Sequence, residues 1–165
     1  MRSRSSVNRK IITLDELREK SEQLRSAGKR VVATNGCFDI LHVGHVRYLA
    51  AARKRGDLLV VGLNGDNSVR QLKGEGRPVN PEQDRAEVLA ALESVDYVTI
   101  FPELRATSFL RAAQPAVYAK GGDYTADTLN PEERAVLESL GTTIEIIPFE
   151  QGYSTSQLLT RIGKA

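Results

Sequence analysis

"RVVATNGCFDILHVGHVRYLAAARKRGDLLVVGLN" runs from Arg30 to Asn64 and decides the fold. It opens on a short apolar run, Val31 to Thr34, of strand length and β-branched character. Asn35-Gly36 then breaks the pattern with a sharp turn. From about Gly44 to Arg55 the residues are good helix formers, and Gly56 supplies the stop. "DLLVVGLN" follows as a second strand, rich enough in Val and Leu to be covered on both faces. Strand, helix and strand in this order are the unit of a parallel sheet.

The same alternation continues outward. Before it, "TLDELREKSEQLRSAGK" (13–29) reads as an amphipathic helix, with Thr13 and Glu16 at capping-box spacing and Gly28 as its stop. After it come a helix in "PEQDRAEVLAALES" (81–94), with Pro81 at its start, and a strand in "VDYVTIF" (95–101). A short helix in "RATSFLRAAQ" (105–114) and a strand with its exit loop in "PAVYAKGGDY" (115–124) follow. The chain closes with a helix between Asn130 and Gly141, a strand in "TTIEIIPF" (142–149) and a helix in "STSQLLTRIG" (154–163). The fold class predicted is α/β: a single doubly wound, Rossmann-like domain with a five-stranded parallel sheet and helices on both faces. Its span is 11–165. The stretch "MRSRSSVNRK" (1–10), basic and free of acids, is expected to be a flexible tail.

Composition excludes several function classes. A net charge of +2 over 165 residues is too small to argue for nucleic acid, and no basic stripe with interleaved aromatics is visible. No apolar run approaches the ~20 residues that cross a bilayer, and no secretory leader pattern is present, so no membrane partner is expected. Cys37 is the single cysteine, which rules out an intrachain disulfide and makes the cytoplasm the expected compartment.

Both histidines of the chain, His42 and His45, sit just after Asn35-Gly36. Their i, i+3 spacing puts them on one side of a helical turn, at the end where free N–H groups and the helix dipole favour an anion. Gly44 between them removes a side chain that would block close approach. A phosphate cradle with two imidazole donors is one reading. Capping or satisfying buried backbone is a second, and a metal site using Cys37, Asp39, His42 and His45 is a third. In doubly wound sheets ligands bind past the carboxyl ends of the strands. Asn35-Gly36, Lys120-Gly121-Gly122 and the loop after Phe149 all leave strands at that edge.

With those residues in view, the stretch "GCFDILHVGHVRYLAAARKRGD" resembles the signature of the HxGH nucleotidyltransferases, the family of cytidylyl- and adenylyltransferases. "LKGEGRPVNPEQDR", "ALESVDYV", "KGGDY" and "FEQGYSTSQLL" sharpen the resemblance toward the branch that adenylylates D-glycero-β-D-manno-heptose 1-phosphate. The similarity runs from about Thr13 to the end of the chain. In the glycerol-phosphate cytidylyltransferases, which share HxGH, the last motif typically begins with arginine where this chain has Phe149.

The resemblance implies an enzyme in which a sugar phosphate attacks the α-phosphate of ATP and pyrophosphate leaves. A phosphate nucleophile is already anionic, so positioning and electrostatic donors carry the chemistry. His42 and His45 are implied as donors to the triphosphate, either neutral or cationic, with phosphate favouring the cation. Lys73, read as lying in a Gly-flanked loop, is the implied mobile cationic clamp; by itself it is equally a solvated loop lysine. Arg77 and Arg85 are weaker candidates for the same region, and Arg85 could instead brace its own helix. Gly36, Cys37, Phe38 and Gly44 are implied nucleotide contacts; Cys37 otherwise reads as a small packed residue. Lys120, Gly121 and Asp123 of "KGGDY" are implied contacts to the base or ribose, although a strand-exit turn alone explains the glycines. Among Ser154, Thr155 and Ser156, one hydroxyl is expected to cap the last helix and the others to hold the β- and γ-phosphates.

The implied cofactors are ATP, as a substrate, and Mg²⁺ travelling with it, without a dedicated protein metal cage. A homo-oligomer and a separate heptose kinase are the expected partners. A non-catalytic nucleotide-binding module is the alternative of another class, and the intact His42, Gly44, His45 and Lys73 speak against it.

Overall fold

The structure is a computed structural model and describes residues 4–122, 124–148 and 151–164. Thirteen regular elements alternate along it. They are α1 (Arg4–Asn8), α2 (Leu14–Ser26), β1 (Val31–Gly36), α3 (Val43–Arg53), β2 (Leu58–Asn64), α4 (Asp66–Lys73) and α5 (Glu82–Ala90). Then follow β3 (Tyr97–Phe101), α6 (Thr107–Ala113), β4 (Val117–Gly121), α7 (Pro131–Ser139), β5 (Thr143–Ile147) and α8 (Thr155–Ile162). The sheet is five-stranded, in the order β3-β2-β1-β4-β5, and every pairing is parallel. The predicted doubly wound, Rossmann-like architecture is therefore present.

Strand alternation explains the two covered faces. Val32, Leu59, Val61 and Val98 point to one side and pack against Tyr48, Leu49 and Ala52 of α3 and Ala86 and Leu89 of α5. Val31, Ala33, Val60 and Tyr118 point to the other, against Leu17 of α2, Phe109 and Leu110 of α6 and Leu137 of α7. Neighbouring residues of one strand thus enter two separate cores, which is why these strands read as unbroken apolar runs.

The helix starts follow local chemistry. Thr13 Oγ1 accepts from Glu16 N–H while the Glu16 carboxylate accepts from Thr13 N–H, the capping box the spacing predicts. Asn130 Oδ1 accepts from the N–H groups of Glu132 and Glu133, with Pro131 in the first turn.

Two expectations need correction. The basic N-terminal stretch is not a free tail over its described residues. Arg4–Asn8 is helical, Val7 packs on the core, and Lys10 Nζ donates to the carbonyls of Leu92 and Val95. Val98 N–H donates to Lys10 O and Ile12 N–H to Val98 O, so the chain covers the open edge of β3. Lys73 is likewise not in a loop: it is the last residue of α4, whose Val69 is buried. A two-turn helix is too short to stand out by periodicity, and Gly74, at φ +94°, is its stop rather than one flank of a loop. Among the described residues, no helix is long and apolar enough to cross a membrane.

Candidate active site

The cleft opens where β1 and β4 part. Their register runs through Val32 with Val117 and Ala33 with Tyr118, and stops there, while β1 stays paired to β2 as far as Gly36 with Leu63. A phenol occupies the gap. Tyr48, reaching from α3, donates from its hydroxyl to Ala119 O at 3.0 Å and accepts from Thr34 Oγ1 at 2.8 Å. Burial pushes the Tyr48 phenol up to about 12, so it stays a neutral donor. Above it the splayed strand ends border a cleft of about 730 Å³. This is the crevice that a change of winding direction creates in such sheets.

On the α3 side the two histidines form a reciprocal cap. His42 is the N-cap, and its Nδ1 accepts from Gly44 N–H at 3.1 Å; His45 Nδ1 accepts from His42 N–H at 3.3 Å. A nitrogen that accepts carries no proton, so each neutral ring holds its hydrogen on Nε2. Burial depresses both pKa values, and for His45, which also feels His42, the value falls to about 4. Without ligand both rings are therefore neutral Nε2–H donors, one of the two states expected. The rings lie 4.0 Å apart, and His45 meets the Phe38 edge at 5.6 Å. His45 lines the cleft; His42 stacks behind it. Gly44 is required: a Cβ there would lie 2.8 Å from His42 Cε1 and 3.0 Å from Tyr153 Cβ.

Gly36, Cys37 and Phe38 line the cleft beside His45. Phe38 sits at φ +43°, strained for a bulky residue, and its burial holds it there. Burial raises the Cys37 thiol's pKa, outweighing the lowering by Lys73, Arg85 and Arg77. The metal alternative fails on these groups. Cys37 holds its proton, both Nδ1 atoms are capping acceptors, and Asp39 is fully engaged. Asp39 accepts from Val79 N–H, Asn80 N–H and Arg77 Nε. Burial pushes its carboxyl up, but those donors outweigh it and hold the pKa below the ordinary value.

The cationic candidates separate clearly. Arg85 does not face the cleft; it is 2% exposed. Its guanidinium donates to the carbonyls of Asn80, Cys37 and Asn64 and to Asp66 Oδ1, at 2.7–2.9 Å. It is the brace, not the phosphate ligand. Arg77 borders the cleft but is paired with Asp39. Lys73 is exposed, lines the cleft and makes no ion pair among the described residues. Lys120 and Gly121 line the opposite wall, with Lys120 Nζ 4.7 Å from the centre of the Tyr124 ring. Burial lowers the Lys120 pKa, and Glu133 partly offsets this. Asp123 lies outside the described residues.

Ser154, Thr155 and Ser156 divide their roles. Ser154 Oγ accepts from Gln157 N–H at 3.1 Å and is the N-cap of α8. Thr155 and Ser156 line the cleft, and Thr155 Oγ1 donates to Ile40 O, tying α8 to the loop before α3. Two helix starts thus converge on one wall, which favours an anion there. Sequence reading missed Tyr48, Asn64, Arg105 and Glu133, all on the cleft. Each sits inside a stretch that reads as ordinary helix or strand, so only the fold reveals them.

Fold and site together define the class: a doubly wound α/β domain with two helix starts facing a cleft at the strand switch point. The chain belongs to the cytidylyltransferase-like family, whose pattern matches residues 33–161. It is 49% identical over 156 residues to the bifunctional protein HldE of Geobacter sulfurreducens, covering 94% of this chain and 31% of that protein. It thus spans about a third of the length of the curated relatives it matches. Among solved structures, the lipopolysaccharide core biosynthesis protein from Thermoplasma volcanium superposes with a TM-score of 0.62 at 28% identity, covering 76% of this chain and 99% of that one. Pantoate-beta-alanine ligase from Francisella tularensis shares the fold, with a TM-score of 0.56 at 15% identity, 86% of this chain and 67% of that one.

Proposed function

We propose that this protein transfers AMP from ATP to D-glycero-β-D-manno-heptose 1-phosphate, giving ADP-heptose and pyrophosphate. The observation that carries the reading is the wall where the neutral His45 Nε2–H donor, two helix starts and Lys73, which makes no ion pair among the described residues, meet at the switch-point cleft. The HxGH and "KGGDY" stretches and the HldE relatives support the heptose branch.

An acceptor phosphate oxygen forms the new bond to the α-phosphorus, and the bond from that phosphorus to the bridging oxygen breaks. Pyrophosphate carries away the electron pair. No proton need be removed from the nucleophile, so no general base is required. His45 Nε2–H donates to the α-phosphate as charge builds, and His42 holds the ring pair in register. The Ser156 hydroxyl and the α8 N–H groups hold the outer phosphates, while the Thr155 hydroxyl ties α8 to Ile40 O. Lys73, at a helix end followed by glycines, reaches in as a cation and offsets charge between nucleophile and triphosphate.

Mg²⁺ fits this site as a companion of the triphosphate. Asp39 has its oxygens filled, so phosphate oxygens and water would be its main ligands. A homo-oligomer is part of the same proposal, and light scattering showing only monomer mass refutes that part.

The deciding assay is pyrophosphate release over a grid of nucleotides and acceptors. Turnover with ATP and heptose 1-phosphate is expected. Turnover with CTP and glycerol 3-phosphate instead, or ATP binding without turnover on any phosphorylated acceptor, overturns the assignment.

A further inference from the structure

Part of the cleft lining differs in chemistry from the wall proposed for the triphosphate. It lies toward the other face of the sheet, where α6 and α7 begin. Glu133 of α7 is 7% exposed, and its Oε1 accepts from Ala106 N–H at 2.8 Å. Its Oε2 makes no hydrogen bond or ion pair among the described residues, though its charge acts on Lys120 of the same wall, and it is not one of the sealed, unpaired polar atoms, so it opens on the cleft that Glu133 lines.

A carboxylate at that place is out of keeping with a triphosphate, which it would repel. An ionised carboxylate only accepts hydrogen bonds, and the ligand groups that suit it are hydroxyls. Arg105 directly precedes Ala106, so the backbone bond that holds Glu133 brings the Arg105 backbone close to it, and both residues line the cleft. Arg105 is exposed, lines the cleft and forms no ion pair among the described residues. A buried hydroxyl acceptor and an exposed guanidinium lining the same cleft match one ligand chemistry: several hydroxyls and a phosphate on the same small molecule.

We propose that Glu133 and Arg105 form the acceptor-reading lobe, Glu133 Oε2 taking hydrogen bonds from sugar hydroxyls and Arg105 holding the acceptor's phosphate. This rests on the reading of the site as a sugar-phosphate nucleotidyltransferase. Binding here brings the acceptor to the triphosphate from the side opposite α3. A polyol with the wrong hydroxyl arrangement leaves Glu133 Oε2 unpaired in a half-closed site, which penalises it.

The test separates the two substrates. Glu133→Gln keeps an oxygen for Ala106 N–H, so the fold is retained while the acceptor charge is lost. Arg105→Ala alters only an exposed side chain. For both variants the KM for heptose 1-phosphate should rise about tenfold or more, and the KM for ATP should stay within about twofold. A rise in the ATP KM with the acceptor KM unchanged, or no change in either, overturns the proposal. Hydrogen exchange gives a readout that does not need turnover. In the presence of a non-hydrolysable ATP analogue, heptose 1-phosphate or mannose 1-phosphate should newly protect residues 104–106 and 130–134. Protection of both segments by the analogue alone, or by neither sugar phosphate, overturns it. Absent turnover on heptose 1-phosphate with any nucleotide instead defeats the functional reading, and the exchange experiment still decides the lobe.

Discussion

Replacing Arg85 by methionine should damage stability first and catalysis only through it. Methionine fills much of the same volume but supplies no donor, so the carbonyls of Asn80, Cys37 and Asn64 and the Asp66 carboxylate lose their partner. An orphaned buried acceptor costs about 1–3 kcal/mol, less where water can reach it. Only the Asn64 bond is fully buried; the others are part-buried, and Asp66 is 34% exposed. The sum is therefore about 3–5 kcal/mol rather than the upper limit. At about 2–4 °C per kcal/mol for a domain of this size, Tm should fall by roughly 6–20 °C. Arg85→Lys should fall nearly as far, because a point ammonium cannot reach acceptors that fan out around a planar guanidinium. The assay is thermal unfolding of each variant with and without ATP, beside the ATP KM at a temperature where the variant is folded. A Tm within about 2 °C of wild type together with a tenfold rise in the ATP KM would refute the reasoning, since a brace of this kind must register in Tm.

His45→Glu keeps an acceptor for the His42 N–H and puts an acidic group in the first turn of α3, so the unfolding free energy should hold within about 1 kcal/mol of wild type. Turnover should be lost by at least about 100-fold, because an anion replaces the donor; retained turnover would remove His45 from the phosphate site. Stability should also depend on pH through His45, whose pKa falls from 6.5 unfolded to about 4 folded. Above the unfolded value neither state holds the proton. Below it the unfolded chain takes up a proton the folded ring refuses, so stability drops as pH falls from 6.5 toward 4, by about 2–3 kcal/mol. Urea unfolding of wild type against His45→Gln across that window checks it, and equal slopes count against the buried neutral ring. Gly44→Ala should lower turnover at least about tenfold, although such a change inside a helix ordinarily stabilises by ~0.5–1 kcal/mol, because the new Cβ meets the His42 ring. Unaltered kcat would show that the ring pair tolerates displacement.

Much of the wall proposed to hold the triphosphate was legible in the letters because its residues are close in sequence. His42, Gly44 and His45 share one helical turn, and Thr155 and Ser156 open another. Local chemistry is enough to mark a helix start and the anion it favours. Arg85 was legible only as a charge, open between brace and ligand. Its partners lie 5, 19, 21 and 48 residues away, so no local pattern could choose. Glu133 and Arg105 were invisible for the same reason: each reads as a surface helix residue until the fold joins them across 27 positions from Ala106 to Glu133.

By itself the sequence determined the alternation of strands and helices, the parallel winding and the place of the histidine turn, because periodicity, glycine stops and capping residues act over a few neighbours. Only the tertiary structure decided how far those histidines are buried, the role of Arg85 and the meeting of Glu133 with the chain at Ala106. Those depend on burial and on contacts between segments far apart in the chain, and no short-range pattern records which distant carbonyl a guanidinium will meet.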